Sequence, residues 1–137
     1  MDNTSPTQLI TCDGTSNTWE PSLSLDCPPV ITSPNFPENY GDKERFERLI
    51  EVPKGKIIYI QFTHLNIEWH PTCRYDWVMI IDGNGTELLP KSCGVDIPGD
   101  VVSLTNKVTV KFSSDQYGTR RSGFRLIYAE TGEIIIC

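Results

Sequence analysis

Three carboxylates, Glu68, Asp76 and Asp115, are the residues whose types and spacing are best suited to chemistry. Glu68 and Asp76 flank a short loop that contains Cys73, and Asp115 lies far along the chain. Calcium takes six to eight oxygen ligands at about 2.3–2.6 Å, and carboxylates suit it well. Without a cation, three clustered carboxylates would repel one another and their pKa values would rise. We predict an acidic cation site if loops at one end of the fold bring the three together; solvated acids at strand ends are the alternative.

Other residues near these acids could supply further oxygen ligands or support the site. The candidates are Asn66, Gln116, Tyr117, Gly118 and Tyr40. Asn66 would contribute its side-chain amide, and the three residues from 116 to 118 would contribute backbone carbonyls. Tyr40 would hydrogen-bond a site carboxylate, although a packed loop tyrosine is an equal alternative. The sequence does not rank these candidates.

The motifs of common catalytic centres are missing. His64 and His70 have neither the HExxH spacing of a zinc protease nor a clear third ligand, and the chain has no GxSxG or phosphate-binding glycine loop. Glu68 and Asp76 could be taken for a glycosidase pair, but the predicted loop offers no deep pocket for a sugar. We therefore expect a binding protein and not an enzyme.

Composition narrows the class of partner. The chain has 137 residues, of which 38% are hydrophobic and 22% charged, so it fits one globular domain with tails. Twelve basic and eighteen acidic residues give a net charge of -6. That balance argues against nucleic acid and anionic membranes and favours cations and basic protein surfaces. No apolar run approaches the roughly 18 residues of a membrane span.

Five cysteines, at positions 12, 27, 73, 93 and 137, indicate an oxidising environment. They lack CxxC spacing, so disulfides are favoured over zinc. We expect a secreted protein or the extracellular portion of a membrane-anchored one, of which this chain is a fragment. The sequons at Asn3 and Asn84 are candidate glycosylation sites. Asn84 is the better candidate because it lies in the turn signal Asp82-Gly83-Asn84-Gly85.

The two ends of the chain differ in composition and pattern from its middle. Residues 1–29 are rich in Ser, Thr, Asp, Asn and Pro, which predicts an irregular leader. The stretch from Cys12 through Gly14 and Trp19 to Cys27 resembles the last third of a complement control (sushi) module. The leader is therefore either the end of a preceding module or a tail closed by a local Cys12 to Cys27 bridge. Residues 130–137 are expected to form a C-terminal tail.

Residues 30–129 carry short β-type runs between turn signals. Ile58, Ile60 and Phe62 alternate with polar residues, as the buried face of a strand requires. The apolar parity then switches, which predicts a bulge at His64. Further strands are predicted over residues 30–32, 46–52, 75–81, 101–104, 107–112 and 124–128. About eight short strands without an amphipathic helix predict an all-β antiparallel sandwich.

An ordered set of motifs between Val30 and Tyr128 resembles the CUB domain family. The motifs are Ser33-Pro34-Asn35-Phe36-Pro37 with Tyr40, Phe62 with Leu65-Asn66-Ile67-Glu68, Cys73-Arg74-Tyr75-Asp76-Trp77-Val78, Asp82-Gly83, Cys93-Gly94, Ile97-Pro98, Phe112-Ser113-Ser114-Asp115 and Gly123-Phe124. The resemblance implies a two-sheet jelly-roll sandwich from a secreted, modular protein. It also implies a disulfide between Cys73 and Cys93.

The calcium-binding subset of that family implies roles for the three acids. Its ligands correspond here to Glu68, Asp76 and Asp115, and the calcium-ordered loops receive a lysine or arginine of a partner protein. We expect the partner to contact Glu68, Trp69, Asp76, Asp115 and Tyr117. The chain departs from the family because residues 41–51 contain no cysteine, so the usual first disulfide is absent. Cys27 is then left for Cys12 or Cys137.

Two other functions remain open at this level. A metal-independent carbohydrate or polyanion site could use Trp69 and Trp77 with the basic cluster Arg120, Arg121 and Arg125, since tryptophan is enriched at interaction anchors. Packing for the tryptophans and a solvated turn for the arginines are the alternatives. The chain could also be a structural spacer in a mosaic protein, with no ligand of its own.

Overall fold

The computed structural model describes residues 28–115 and 120–130, and these residues form eight strands and no helix. The strands are β1 Val30–Thr32, β2 Arg45–Glu51, β3 Ile58–Asn66, β4 Trp77–Asp82, β5 Glu87–Ser92, β6 Val101–Val102, β7 Lys107–Ser113 and β8 Gly123–Glu130. They form two four-stranded antiparallel sheets, with strand orders β1-β8-β3-β6 and β2-β7-β4-β5. The predicted all-β antiparallel sandwich is confirmed.

The core lies between the two sheets and follows from alternation along the strands. In β3, Ile58 and Ile60 are fully buried while the residues between them are exposed. Phe112 of β7 meets Phe124 of β8 across the sandwich, with ring centroids 5.7 Å apart. Each sheet therefore turns one apolar face inward, which is the main source of stability in such a fold.

The predicted bulge in β3 is present. The pairing of β3 with β8 shifts register between Phe62 and His64, and Leu65 is buried beyond the shift. An extra residue in one strand bends it and re-aims the side chains that follow. The shift thus sets which residues after β3 point inward at this end of the sandwich.

Strand β5 was missing from the predicted set. It contains Pro90, and the adjacent Leu88 and Leu89 are both only partly buried. Edge strands tolerate proline because one row of backbone groups needs no partner. The proline and the two partly buried leucines break the usual alternation of apolar and polar residues. The sequence alone therefore carries no clear strand signal here.

Three chain segments meet at one end of the sandwich. β4 and β7 are antiparallel neighbours with Trp77 opposite Ser113, so the start of β4 lies beside the end of β7. The loop after β3, in the other sheet, is tied to this end by paired backbone hydrogen bonds between Ile67 and Gly94, at 2.9 and 2.8 Å. The topology therefore places residues 67–68, 76 and 115 close together.

Gly123 begins β8 and cannot carry a side chain. Its φ is +95°, and an added Cβ would lie 1.8 Å from the Oγ of Ser33. We expect Gly123→Ala to lower the free energy of unfolding by roughly 2–5 kcal/mol, because overpacking adds to an unfavourable φ. Gly55→Ala, at φ +90° in open space, should cost roughly 1–2 kcal/mol. Urea unfolding of both variants checks the two values.

The control for this pair is Gly99→Ala, which meets nothing within 4 Å and is not strained. It should stay within about 0.5 kcal/mol of the original chain. Equal losses for Gly55→Ala and Gly123→Ala would show that Ser33 moves aside and that the packing at the start of β8 is not tight.

Candidate metal centre

The structure brings Glu68, Asp76 and Asp115 together. One carboxylate oxygen from each residue lies within 4.8 Å of the other two. Glu68 follows β3, Asp76 immediately precedes β4, and Asp115 comes two residues after β7. The three acids thus come from three separate strands and both sheets, and the fold alone makes them neighbours.

Asp76 is the buried centre of this cluster, with no solvent exposure. Its Oδ2 accepts a hydrogen bond from the Tyr40 hydroxyl at 2.7 Å. Its Oδ1 accepts one from the backbone N–H of Asp115 at 2.8 Å. Asp76 therefore holds the end of β7 and the loop of Tyr40 in place.

Tyr40 combines both of the roles predicted for it. Its ring is buried and packs edge-on against Phe112, with centroids 5.1 Å apart. Its hydroxyl donates to Asp76 and accepts a hydrogen bond from the backbone N–H of Glu68 at 3.1 Å. One aromatic residue therefore fixes two of the three acids relative to the core.

The loop before β2 positions Asp115. The backbone N–H of Lys43 donates to the Asp115 carbonyl at 2.7 Å. Ser114, which is buried, donates from its hydroxyl to the Gly41 carbonyl at 2.7 Å and accepts from the Glu44 N–H at 2.9 Å. Nothing in the sequence around Ser114 predicts this role, because its burial next to an acid arises only in the fold.

The charges of the cluster are poorly compensated. Burial raises the pKa of Glu68, the neighbouring Asp76 and Asp115 raise it further, and Arg121 opposes them. Burial also raises the pKa of Asp76, despite the hydrogen bonds from Tyr40 and the Asp115 backbone. A raised carboxyl pKa means that the ionised form is unfavourable in the folded protein. The site at neutral pH therefore favours any group that brings positive charge.

Asp82, at the other end of β4, shows that burial alone does not produce this result. Burial would raise its pKa, but the N–H groups of Asn84, Leu104 and Thr105 donate to its carboxylate and lower the pKa overall. Asp76 receives fewer donors and has acidic neighbours. The protein thus lowers the pKa of the buried aspartate at the end of β4 and raises the pKa of the one just before β4.

Glu68 has a buried carboxylate oxygen, Oε1, that is not hydrogen-bonded within the described residues. A buried carboxylate oxygen without a partner costs free energy. A hard cation with oxygen ligands, such as calcium, would satisfy this atom together with the adjacent carboxylates.

A disulfide closes the loop between the first two acids. Cys73 and Cys93 are bonded, with Cα atoms 5.5 Å apart, as the family resemblance implied. The next residue, Gly94, pairs with Ile67, and the Trp69 side chain lies against it. The bridge therefore anchors the segment that carries Glu68 to the end of β5.

The remaining candidate residues from the sequence lie in different environments. The Asn66 amide oxygen accepts a hydrogen bond from Arg121 at 3.2 Å. Trp69 is 65% exposed beside Glu68, whereas Trp77 is partly buried with the Lys91 ammonium 4.7 Å above its ring. Outside the described residues lie the predicted positions Gln116, Tyr117, Gly118, Asn3, Cys12, Cys27 and Cys137.

Comparison with known proteins identifies the family. The family model described as CUB domain matches residues 24–128. Blastula protease 10 of Paracentrotus lividus is 37% identical over 120 residues, which cover 85% of this chain and 20% of that protein. The chain therefore spans about a fifth of the length of this relative.

Two solved structures share the fold. The crystal structure of the MASP-1 CUB2 domain bound to Ca2+ is 29% identical, with a TM-score of 0.67, and covers 76% of this chain and 93% of that one. The full extracellular region of zebrafish Gpr126/Adgrg6 is also 29% identical, with a TM-score of 0.68, and the match covers 77% of this chain and 14% of that one.

The chain belongs to the CUB domain family, and the predicted jelly-roll sandwich is confirmed. CUB domains are non-catalytic interaction modules of extracellular proteins. None of the described residues forms a helix with the length and apolarity that crossing a membrane requires.

The Tyr40 hydroxyl gives a pH-dependent prediction for the cation-free protein. In Tyr40→Phe, Asp76 loses a donor, so its pKa should rise further. Ionised Asp76 already opposes folding, and that penalty disappears as pH falls through its folded pKa. The variant should lose roughly 1–3 kcal/mol of unfolding free energy at neutral pH, and the loss should shrink on acidification. Urea unfolding in EDTA across a pH series measures it.

Tyr59→Phe is the matched control. The Tyr59 hydroxyl hydrogen-bonds Asp100 at the surface, far from β4 in the sequence, and its ring is 44% exposed. Removing this hydroxyl should change the free energy of unfolding little at any pH. A loss in Tyr40→Phe that stays constant with pH would show that the hydroxyl serves packing and does not support the Asp76 charge.

Proposed function

We propose that this CUB domain is a calcium-dependent protein-binding module. A bound calcium ion would be held by Glu68, Asp76 and Asp115 and would order the loops that carry them. The observation that carries the proposal is the convergence of three carboxylates, one of which has a buried oxygen without a partner. The MASP-1 CUB2 domain, a structural relative, is described as bound to Ca2+, which supports the same chemistry here.

Calcium would supply positive charge and coordination at this end of the sandwich. It accepts irregular sets of oxygen ligands, including carbonyls and water. Asn66 and the backbone carbonyls of residues 116–118 are proposed as additional ligands or supports, and Tyr40 as a residue that orients Asp76. Because the three acids sit on separate loops, binding of the ion would be coupled to loop order.

The proposed partner is an extracellular protein that presents a lysine or arginine. Three carboxylates and one divalent cation leave one negative charge at the site, which would attract a basic side chain. Trp69 stands 65% exposed next to Glu68 and would provide apolar contact area. Tyr117 is proposed as a further contact from the third loop.

The positions of the arginines give less support to a metal-independent carbohydrate or polyanion site. Arg125 is 9% exposed and donates to the Thr63 hydroxyl at 2.9 Å. Arg121 donates one hydrogen bond to the Asn66 amide oxygen. Burial of Arg125 interrupts the basic cluster, whereas the three carboxylates converge, so we favour the acidic cluster as the main binding site.

The proposed setting is outside the cell, within a larger multidomain protein. The Cys73 to Cys93 disulfide fits an oxidising compartment. Asn84 is exposed in the turn between β4 and β5, whereas Asp76 precedes the opposite end of β4. A glycan at Asn84 would therefore leave the acidic cluster accessible, and we propose this asparagine as the glycosylation site.

Calcium should raise the melting temperature of the protein. Ligand binding to the folded state stabilises it by roughly 2.7 kcal/mol at a ligand concentration 100 times the Kd. We expect Glu68→Gln and Asp115→Ala to abolish the rise. In EDTA, Glu68→Gln should melt at or above the original temperature, since it removes an unfavourable charge. Calorimetry with calcium and with EDTA measures both effects.

Glu87→Gln is the control for these variants because it removes an exposed acid at the start of β5. It should keep the full response to calcium. An unchanged melting temperature of the original chain at millimolar calcium would count against a metal site.

Binding of a basic side chain should depend on the ion. A short acetylated and amidated lysine peptide is expected to bind in calcium and to lose binding in EDTA or in Asp115→Ala. Chemical shift changes of the labelled protein report the contact, and the Trp69 indole should be among the signals that move. Equal binding with and without calcium would contradict this arrangement.

A further inference from the structure

A groove on the outer face of the β2-β7-β4-β5 sheet leads to the acidic cluster. Its volume is about 610 Å³. Its floor includes the cross-strand row of Arg45, Ser113 and Trp77, which are paired in register across β2, β7 and β4. Asp115 lines the groove and also belongs to the acidic cluster. The groove and the proposed calcium site are therefore continuous.

The groove is basic, although the chain as a whole carries a net charge of -6. Arg45, Arg74 and Lys111 line it. Lys111 is paired with Glu47 at 3.7 Å. Across the described residues, neither Arg45 nor Arg74 forms an ion pair with a carboxylate. Two guanidinium groups in the groove are thus available for an external anion.

Hydrogen bonds hold Arg45 in position, and among the described residues none of their acceptors is a carboxylate. Its Nη1 donates to the Ser113 hydroxyl at 2.5 Å and to the carbonyls of Ser114 and Glu44, both at 3.1 Å. Arg74 lies over the Tyr75 ring, with its Cζ 5.8 Å from the ring centroid. A guanidinium that is already oriented loses less entropy when it binds a carboxylate.

We propose that this groove binds an aspartate or glutamate of the partner, close in sequence to the basic residue that enters the acidic cluster. The inference rests on the proposed function, because calcium would neutralise Asp115 and leave the positive charge of the groove unopposed. Asp115 lies two residues beyond the Arg45-Ser113-Trp77 row, a span of roughly 7 Å in extended chain. The acid should therefore lie two or three residues from the basic residue.

A single carboxylate suits the groove better than a long polyanion. Glu47 and Asp115 both line the groove, so an extended chain of sulfates would meet negative charge from both residues. A carboxylate presents two oxygens that match one guanidinium. The chemistry of the groove thus favours a partner segment with both charges.

Paired peptides test the inference. One carries lysine and glutamate three positions apart in a glycine background, and its twin has glutamine instead of glutamate. In calcium, the glutamate peptide should bind about two- to fivefold more tightly, as expected for an oriented surface ion pair. Arg74→Gln should reduce this advantage without changing the affinity for the glutamine peptide. Arg45→Gln should also reduce the ratio of the two affinities, which is its readout because Arg45 holds the Ser114 carbonyl next to Asp115. Arg48→Gln, on β2 but outside the groove, should retain it.

The variants and peptides separate the two levels of the proposal. Calcium-dependent binding of both peptides with equal affinity would overturn the groove and leave the calcium-dependent function standing. Absence of calcium-dependent binding by either peptide would refute the proposed function and, with it, the groove. Binding of a heparin oligosaccharide in EDTA that is lost in both arginine variants would identify a polyanion site and overturn the assignment to a carboxylate.

Discussion

The buried carboxylate of Asp76 organises this end of the molecule. It receives hydrogen bonds from the Tyr40 hydroxyl and from the Asp115 backbone, and Tyr40 in turn receives one from the Glu68 backbone. Through these contacts, one charged group connects loops from both sheets. Burial disfavours its ionised state, and the neighbouring Asp115 adds repulsion. The protein keeps a destabilising arrangement at the place where its ligand is proposed to bind.

The two ends of β4 show how environment decides the role of an aspartate. Asp82 is surrounded by backbone N–H donors and ties the turn after β4 to the segment before β7. Asp76 has acids for neighbours and fewer donors. The hydrogen bonds to Asp82 lower its pKa, whereas those to Asp76 do not outweigh the effect of burial. Two buried aspartates at opposite ends of β4 therefore differ in how well the protein stabilises their charge.

The net charge of -6 does not show that acidic and basic residues are separated into distinct regions of the surface. The acidic cluster and the basic groove meet at Asp115, so two regions of opposite sign are adjacent on one surface. Such a pattern favours a partner with a complementary pair of charges, since complementarity contributes specificity more than raw affinity. The sequence motifs contain the acids but not the groove, because Arg45, Arg74 and Lys111 come from three different segments.

The sequence by itself determined the strands with clean alternation, the bulge after Phe62 and the set of three acids, because apolar periodicity and family motifs are local signals. It did not reveal β5, where Pro90 and adjacent leucines obscure the period. Only the tertiary structure decided that the acids meet, that Glu68 keeps an unsatisfied oxygen and that Arg45 and Arg74 share a groove. Those properties depend on distances between strands that are far apart in the chain, and no short stretch of residues encodes them.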